Sequence, residues 1–191
     1  MKIYSNINSV DKKFINSVLA IGNFDGVHLG HQELLKKAYI FSRKINKKFG
    51  IFTFDPLPKD FFNRTDNKIL NISDKIEIVK KFRADFFIKQ NFNRNFSKIS
   101  HDNFAKIILL KKLAAHSIFV GKDFKFGFKR KGNIFFLKKL SENNNFKVKN
   151  LFIAGGIHNS EWNKKKINLA KFVIEKNKNF KINYFQNELI W

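Results

Sequence analysis

Two histidines three residues apart, His28 and His31, stand in a glycine-rich stretch, Ile21-Gly-Asn-Phe-Asp-Gly-Val-His-Leu-Gly-His-Gln32. Imidazoles hydrogen-bond phosphate oxygens and change charge near neutral pH. On a first helical turn, a spacing of three points both rings the same way. Gly22, Gly26 and Gly30 let the backbone approach a ligand closely, and N–H groups at a helix start favour an anion. The chemistry that suits this stretch is the handling of phosphate groups. A bland use of the same residues also exists: a tight turn followed by a solvated helix start.

The elements around the stretch must position it. Ser17-Val-Leu-Ala-Ile21 is a short apolar run and predicts a buried strand. Glu33 to Lys47 predicts a helix, with Leu34, Leu35, Ala38 and Phe41 at helical spacing. Further strands are expected near Ile3 and at Gly50–Phe54, Asp85–Ile88, His116–Val120 and Lys147–Ile153. Ser73 is the expected cap of a helix reaching Phe82, with Ile76 and Val79 on one face. Ser100 is expected to cap another, with Phe104, Ile107 and Ile108 inward, and Asn133–Leu140 predicts a third. Strands alternating with helices imply βαβ units and a parallel sheet, whose ligand lies outside the carboxyl ends of the strands.

Two more loops leave strands at that end. Asp55-Pro-Leu-Pro-Lys-Asp-Phe-Phe62 holds the only two prolines, Pro56 and Pro58, and forms a rigid exit. Val120-Gly-Lys-Asp-Phe-Lys-Phe-Gly-Phe-Lys-Arg-Lys-Gly132 holds Gly121, Gly127 and Gly132. Six of the chain's nine glycines therefore fall in two loops, which argues for specific backbone conformations there.

Composition bounds the rest. A chain of 191 residues suits one domain, and 43% hydrophobic residues supply a core. Without cysteine there is neither a disulfide nor a thiolate metal site. No apolar run is long enough for a membrane span and no signal-peptide pattern opens the chain, so a cytoplasmic protein is expected. The formal charge of +23 raises the question of nucleic acid. Lys, Asn, Ile and 25 Phe share AT-rich codons, however, and the lysines are scattered. Compositional bias is the better reading, and a nucleic-acid partner is not expected.

The string Gly22-Asn-Phe-Asp-Gly-Val-His-x-Gly-His31 resembles the FMN adenylyltransferase module of prokaryotic FAD synthetases, within the nucleotidylyltransferase superfamily marked by His-x-Gly-His. Thr53-Phe-Asp-Pro-Leu-Pro58 is similar to that family's Thr-Phe-x-Pro-His-Pro, with Leu57 where the histidine usually stands. Val120–Gly132 resembles its Val-Gly-x-Asp-Phe-x-Phe-Gly-x-x-x-x-Gly segment. The resemblance implies a Rossmann-like nucleotidylyltransferase fold with a central, mostly parallel sheet of five or six strands flanked by helices. It also implies transfer of AMP from ATP to FMN, giving FAD and pyrophosphate, with Mg²⁺ accompanying ATP and no metal ligands from the protein. His28 and His31 would be catalytic. Gly22, Asn23, Phe24, Asp25 and Gly30 would bind ATP. Pro56, Pro58, Phe62, Asp123 and Phe126 would bind FMN. Phe124 and Phe126 could flank the flavin or fill core, and Asp123 could hold a loop or touch substrate.

The family's second signature, Ile-Ser-Ser-Thr-x-x-Arg, is not recognisable. Its nearest counterparts are Ile167-Asn-Leu-Ala-Lys-Phe-Val173 and Ile157-His-Asn-Ser-Glu-Trp-Asn163. A flavin- or nucleotide-binding relative without turnover is therefore the alternative. With the chain ending at Trp191, residues 1–191 are expected to form a single adenylyltransferase-like domain. No riboflavin kinase module is expected, and a separate kinase would supply FMN.

Overall fold

The computed structural model describes residues 1–64, 68–144 and 146–151, all within one compact unit, Met1–Gly156. Among the described residues, six parallel strands form the central sheet: β1 (Lys2–Tyr4), β2 (Val18–Ile21), β3 (Phe49–Asp55), β4 (Phe86–Asn91), β5 (Ser117–Gly121) and, last of these, β8 (Lys147–Leu151). Their spatial order is β1-β4-β3-β2-β5-β8, with every pairing parallel. From β2 the chain first builds β3 and β4 to one side, then returns to add β5 and β8 on the other. The order reverses between β2 and β5, and in such sheets a crevice opens beyond the carboxyl ends of these strands.

Alternate residues supply two cores. Leu19, Ile21, Phe52, Phe54, Phe86, Ile88, Ile118 and Val120 belong to one buried cluster; Val18, Ala20, Phe49, Ile51, Phe87 and Phe119 belong to the other. This is the period-two alternation of strands covered on both faces, and it explains why β2 and β3 read as continuous apolar runs. Helix α1 (Leu29–Lys44) brings Leu34, Leu35 and Ala38 to the second cluster. Helix α3 (Ile72–Lys80), which follows the short α2 (Pro58–Asn63), adds Val79 to it. The first cluster is covered by α5 (His101–Asn103), which runs on as a wider helix over Phe104–Lys112, and by α6 (Ile134–Glu142). The short α4 (Arg94–Ser97) precedes α5. The result is the expected α/β architecture, with helices on both faces of a parallel sheet.

Local boundaries depart from expectation in four places. The first helix begins at Leu29 rather than Glu33, because His28 caps it. Asn71, not Ser73, caps α3 by accepting the Asp74 N–H at 2.9 Å. Ser100 does cap α5, accepting the Asn103 N–H at 3.1 Å, but Ile107 is 43% exposed. The helix widens beyond Phe104, as the Leu113 N–H to Ile108 carbonyl bond shows, and buries Phe104, Ala105, Ile108, Leu109 and Leu113 instead. Finally, the 121–133 loop contains a small antiparallel ribbon, β6 (Lys125–Phe126) with β7 (Gly132–Asn133). It docks on the start of α5 through Phe128 N–H to the Ile99 carbonyl, 2.7 Å. Gly127, at φ +72°, sits so close that a Cβ would run into the His101 backbone. Close packing thus accounts for at least this glycine of the second loop.

Candidate active site

The turn between β2 and α1 is built from within. The Gly22 N–H extends the ladder by donating to the Phe52 carbonyl at 3.1 Å. Phe24 follows in the left-handed region, φ 47° and ψ 38°, a conformation that costs a non-glycine residue roughly 1–2 kcal/mol. Burial of its ring, 1% exposed, offsets that cost. The ring lies over residue 22, where a Cβ would meet it at 3.3 Å, so a larger residue there would have to push the ring aside by a few tenths of an ångström. Asp25 ties the turn down: one carboxylate oxygen meets the Lys59 ammonium at 2.9 Å, and the other accepts the Ile69 N–H at 2.8 Å.

His28 is the N-cap of α1, its Nδ1 accepting the His31 N–H at 3.4 Å. That bond uses the Nδ1 lone pair, so the neutral ring carries its proton on Nε2. The two imidazoles stack with centroids 3.7 Å apart and planes 23° apart, and Phe24 presses edge-on against His31 at 5.3 Å. The pair therefore points one way, at a helix start where the dipole favours anions. Gly30 is buried in the first turn of that helix.

Beneath the turn, the Asn23 carbonyl accepts two donors, Thr53 Oγ1 at 3.1 Å and Lys75 Nζ at 2.8 Å. Lys75 is only 2% exposed. Burial pushes its pKa below the ordinary lysine value; the charges of Asp25 and Asp55 oppose that shift, and Lys68 and Lys59 add to it.

The residues expected to hold FMN divide. Pro58 opens α2, where a missing N–H does no harm. Pro56 is exposed and Leu57 is buried. Phe62 is 64% exposed, held edge-on by Phe61 at 5.3 Å and Phe92 at 5.9 Å, and so offers aromatic surface to solvent. Asp123 is exposed. Phe126 is 6% exposed, stacked on Phe124 at 5.4 Å and packed against Phe104 at 5.3 Å. Of the two uses left open for it, core filling is the one seen. The structure joins Gly22, Phe24, His28 and His31 in one cluster and ties Asp25 to α2. Phe126 lies in the core on the opposite sheet face from Phe24.

Lys75, Thr53 and Lys59 were not singled out from the sequence, although one signal for Lys75 was present. Ile72, Ile76 and Val79 mark the apolar stripe of α3, and position 75 falls on that stripe. A lysine there must bury its stem and find a partner for its charge. The two stretches considered as counterparts of the second signature, residues 157–163 and 167–173, lie outside the described residues.

A parallel, doubly wound sheet with a paired-histidine helix start at its switch point defines a Rossmann-like nucleotidyltransferase fold. A family model described as FAD synthetase matches residues 10–154, and the chain belongs to that family. It is 40% identical over 150 residues to the bifunctional riboflavin kinase/FMN adenylyltransferase of Buchnera aphidicola subsp. Schizaphis graminum, covering 78% of this chain and 48% of that protein. Its identity to the enzyme of the same name from Haemophilus influenzae is 31% over 150 residues, covering 78% and 49%. The chain thus spans about half the length of the curated relatives it matches. A solved structure described as a macrolide-efflux protein from Streptococcus pneumoniae superposes with a TM-score of 0.64 at 25% identity, covering 78% of this chain and 48% of that one. Among the described residues no helix is long and apolar enough to cross a membrane.

Proposed function

We propose that the chain is an FMN adenylyltransferase, transferring AMP from ATP to FMN to give FAD and pyrophosphate. The observation that carries this reading is the stacked His28–His31 pair, held at the start of α1 beside the β2/β5 switch point in a member of the FAD synthetase family. A phosphate oxygen of FMN attacks the α-phosphorus of ATP. The new P–O bond forms as the bond from the α-phosphorus to the α,β-bridging oxygen breaks, and pyrophosphate leaves with the electron pair. Such a reaction asks the protein for positioning and charge stabilisation rather than covalent chemistry. Imidazole N–H groups donate to the ATP phosphate oxygens as charge moves toward the leaving group. Backbone N–H groups of residues 23–25 face the nucleotide, while the Phe24 ring and the Asp25 carboxylate hold the turn from behind. Exposed Phe62, with Pro56 and Pro58 following β3 and Asp123 in the loop after β5, receives the flavin. Among the described residues no group of three or more His, Asp or Glu is arranged to cage a metal. Mg²⁺ would enter with ATP and shield the charge of its phosphates. We assign the reaction to the cytoplasm, where ATP is supplied.

The test is direct. Purified protein is mixed with ATP, FMN and Mg²⁺, and the flavins are separated by chromatography. FAD is expected from the wild type, with a loss of at least about 10²–10³-fold in the His28→Ala, His31→Ala double variant. FAD formed equally by that variant would remove the histidines from the reaction. The alternative, a binding protein without turnover, draws no support from the relatives matched; retained FMN or ATP binding with no FAD would revive it.

A further inference from the structure

Lys75 is the one lysine buried among the described residues. Its Nζ donates to the Asn23 carbonyl at 2.8 Å from a position 2% exposed to solvent. An apolar side chain on this stripe of α3 would bury without the desolvation cost of an ammonium. The charged and titratable groups facing it are Asp25, Asp55, Lys59 and Lys68. Asp25 is already paired with Lys59 at 2.9 Å, and Asp55 lies 3.9 Å from Lys89. The direct partner of Lys75 is a backbone oxygen of the glycine turn.

That oxygen is a lever. With Thr53 Oγ1 as the second donor, both lone pairs of the Asn23 carbonyl are engaged. The Asn23–Phe24 peptide is trans and planar, so its N–H points opposite to its carbonyl. Drawing the carbonyl inward toward α3 and β3 turns the Phe24 amide outward. The same bond restrains Phe24 in its left-handed conformation, three residues past the strand and four before the His28 cap. It also holds a positive charge directly behind the turn, in a site of low dielectric where a charge acts strongly on anions.

We propose that Lys75 is a positioning residue for the nucleotide phosphates, fixing from beneath the turn the Phe24 amide and the start of α1. This rests on the reading of the turn as an ATP site. The variants are Lys75→Met, which keeps the stem and removes the donor and charge, and Thr53→Val, which removes the other donor to the same carbonyl. Calorimetry measures binding of Mg-ATP, circular dichroism checks the fold, and steady-state assays give KM for ATP and FMN separately. A folded Lys75→Met protein is expected to bind ATP about 10-fold or more weakly, the loss of a charge-assisted hydrogen bond, with KM for FMN within about twofold of wild type. Unchanged ATP affinity, or a fall in kcat with both KM values unchanged, would mark Lys75 as structural only and overturn the proposal. Should Lys75→Met fail to fold, Thr53→Val decides: a KM for ATP raised by about threefold or more supports the lever, and an unchanged KM overturns it. Absence of ATP binding by the wild type would overturn the ATP-site reading itself, and the proposal with it.

Discussion

His28 has two jobs that one substitution can separate. Its Nδ1 caps α1, and its ring stacks on His31. Asparagine is among the best N-caps, so His28→Asn should leave thermal stability within about 1 kcal/mol of wild type. The variant lacks the imidazole, so FAD formation should fall by about 10²-fold or more. A variant of normal activity would show that His28 serves the helix alone. This pair was legible in the sequence because its spacing and its glycines are local. Lys75 was not, because its partner Asn23 lies 52 residues away and meets it only when α3 folds back onto the turn. Phe126 is the converse case. A segment written like a ligand loop put its ring in the core, because twenty-five phenylalanines give apolar packing many ways to use one.

At the scale of elements, strands were easier to place than helix faces. A parallel sheet covered on both sides forces apolar runs, and β2, β3, β4 and β5 each fall within one or a few residues of such a run. The helix over residues 101–112 shows why faces are harder. Ser100 signals its start correctly, yet a helical period of 3.6 puts Ile107 inward, whereas the widened turn puts it out. Two truncations test that geometry. Phe104 is 3% exposed and packs against Phe52, Phe96 and Phe126, so Phe104→Ala should cost about 3–5 kcal/mol in urea unfolding. Ile107→Ala, at an exposed position, should cost less than about 1 kcal/mol. Comparable losses from both would mean that the helix keeps its ordinary winding and buries Ile107.

Over the whole molecule, charge acts on folding and on ligand capture with opposite consequences. Lys and Arg number 38 against 15 Asp and Glu, and the acids that pair are shared: Asp85 meets both Arg43 and Lys48, and Asp11 meets both Lys2 and Lys13. Exposed pairs of this kind contribute little, typically below about 1 kcal/mol each. The dominant long-range term is therefore repulsion among unneutralised cations, which disfavours the compact state. Salt shortens the reach of that repulsion from about 30 Å at 0.01 M to about 8 Å at 0.15 M. Raising NaCl across this range should raise the urea midpoint, whereas a protein held mainly by its surface ion pairs would lose stability. The same screening weakens attraction of an ATP-like polyanion to the cationic surface, so the ATP association rate in stopped flow should fall over the same range. A midpoint that drops with salt would show that the shared carboxylates outweigh the repulsion. An association rate indifferent to salt would show that the +23 charge takes no part in capturing ATP, as expected if compositional bias alone put it there.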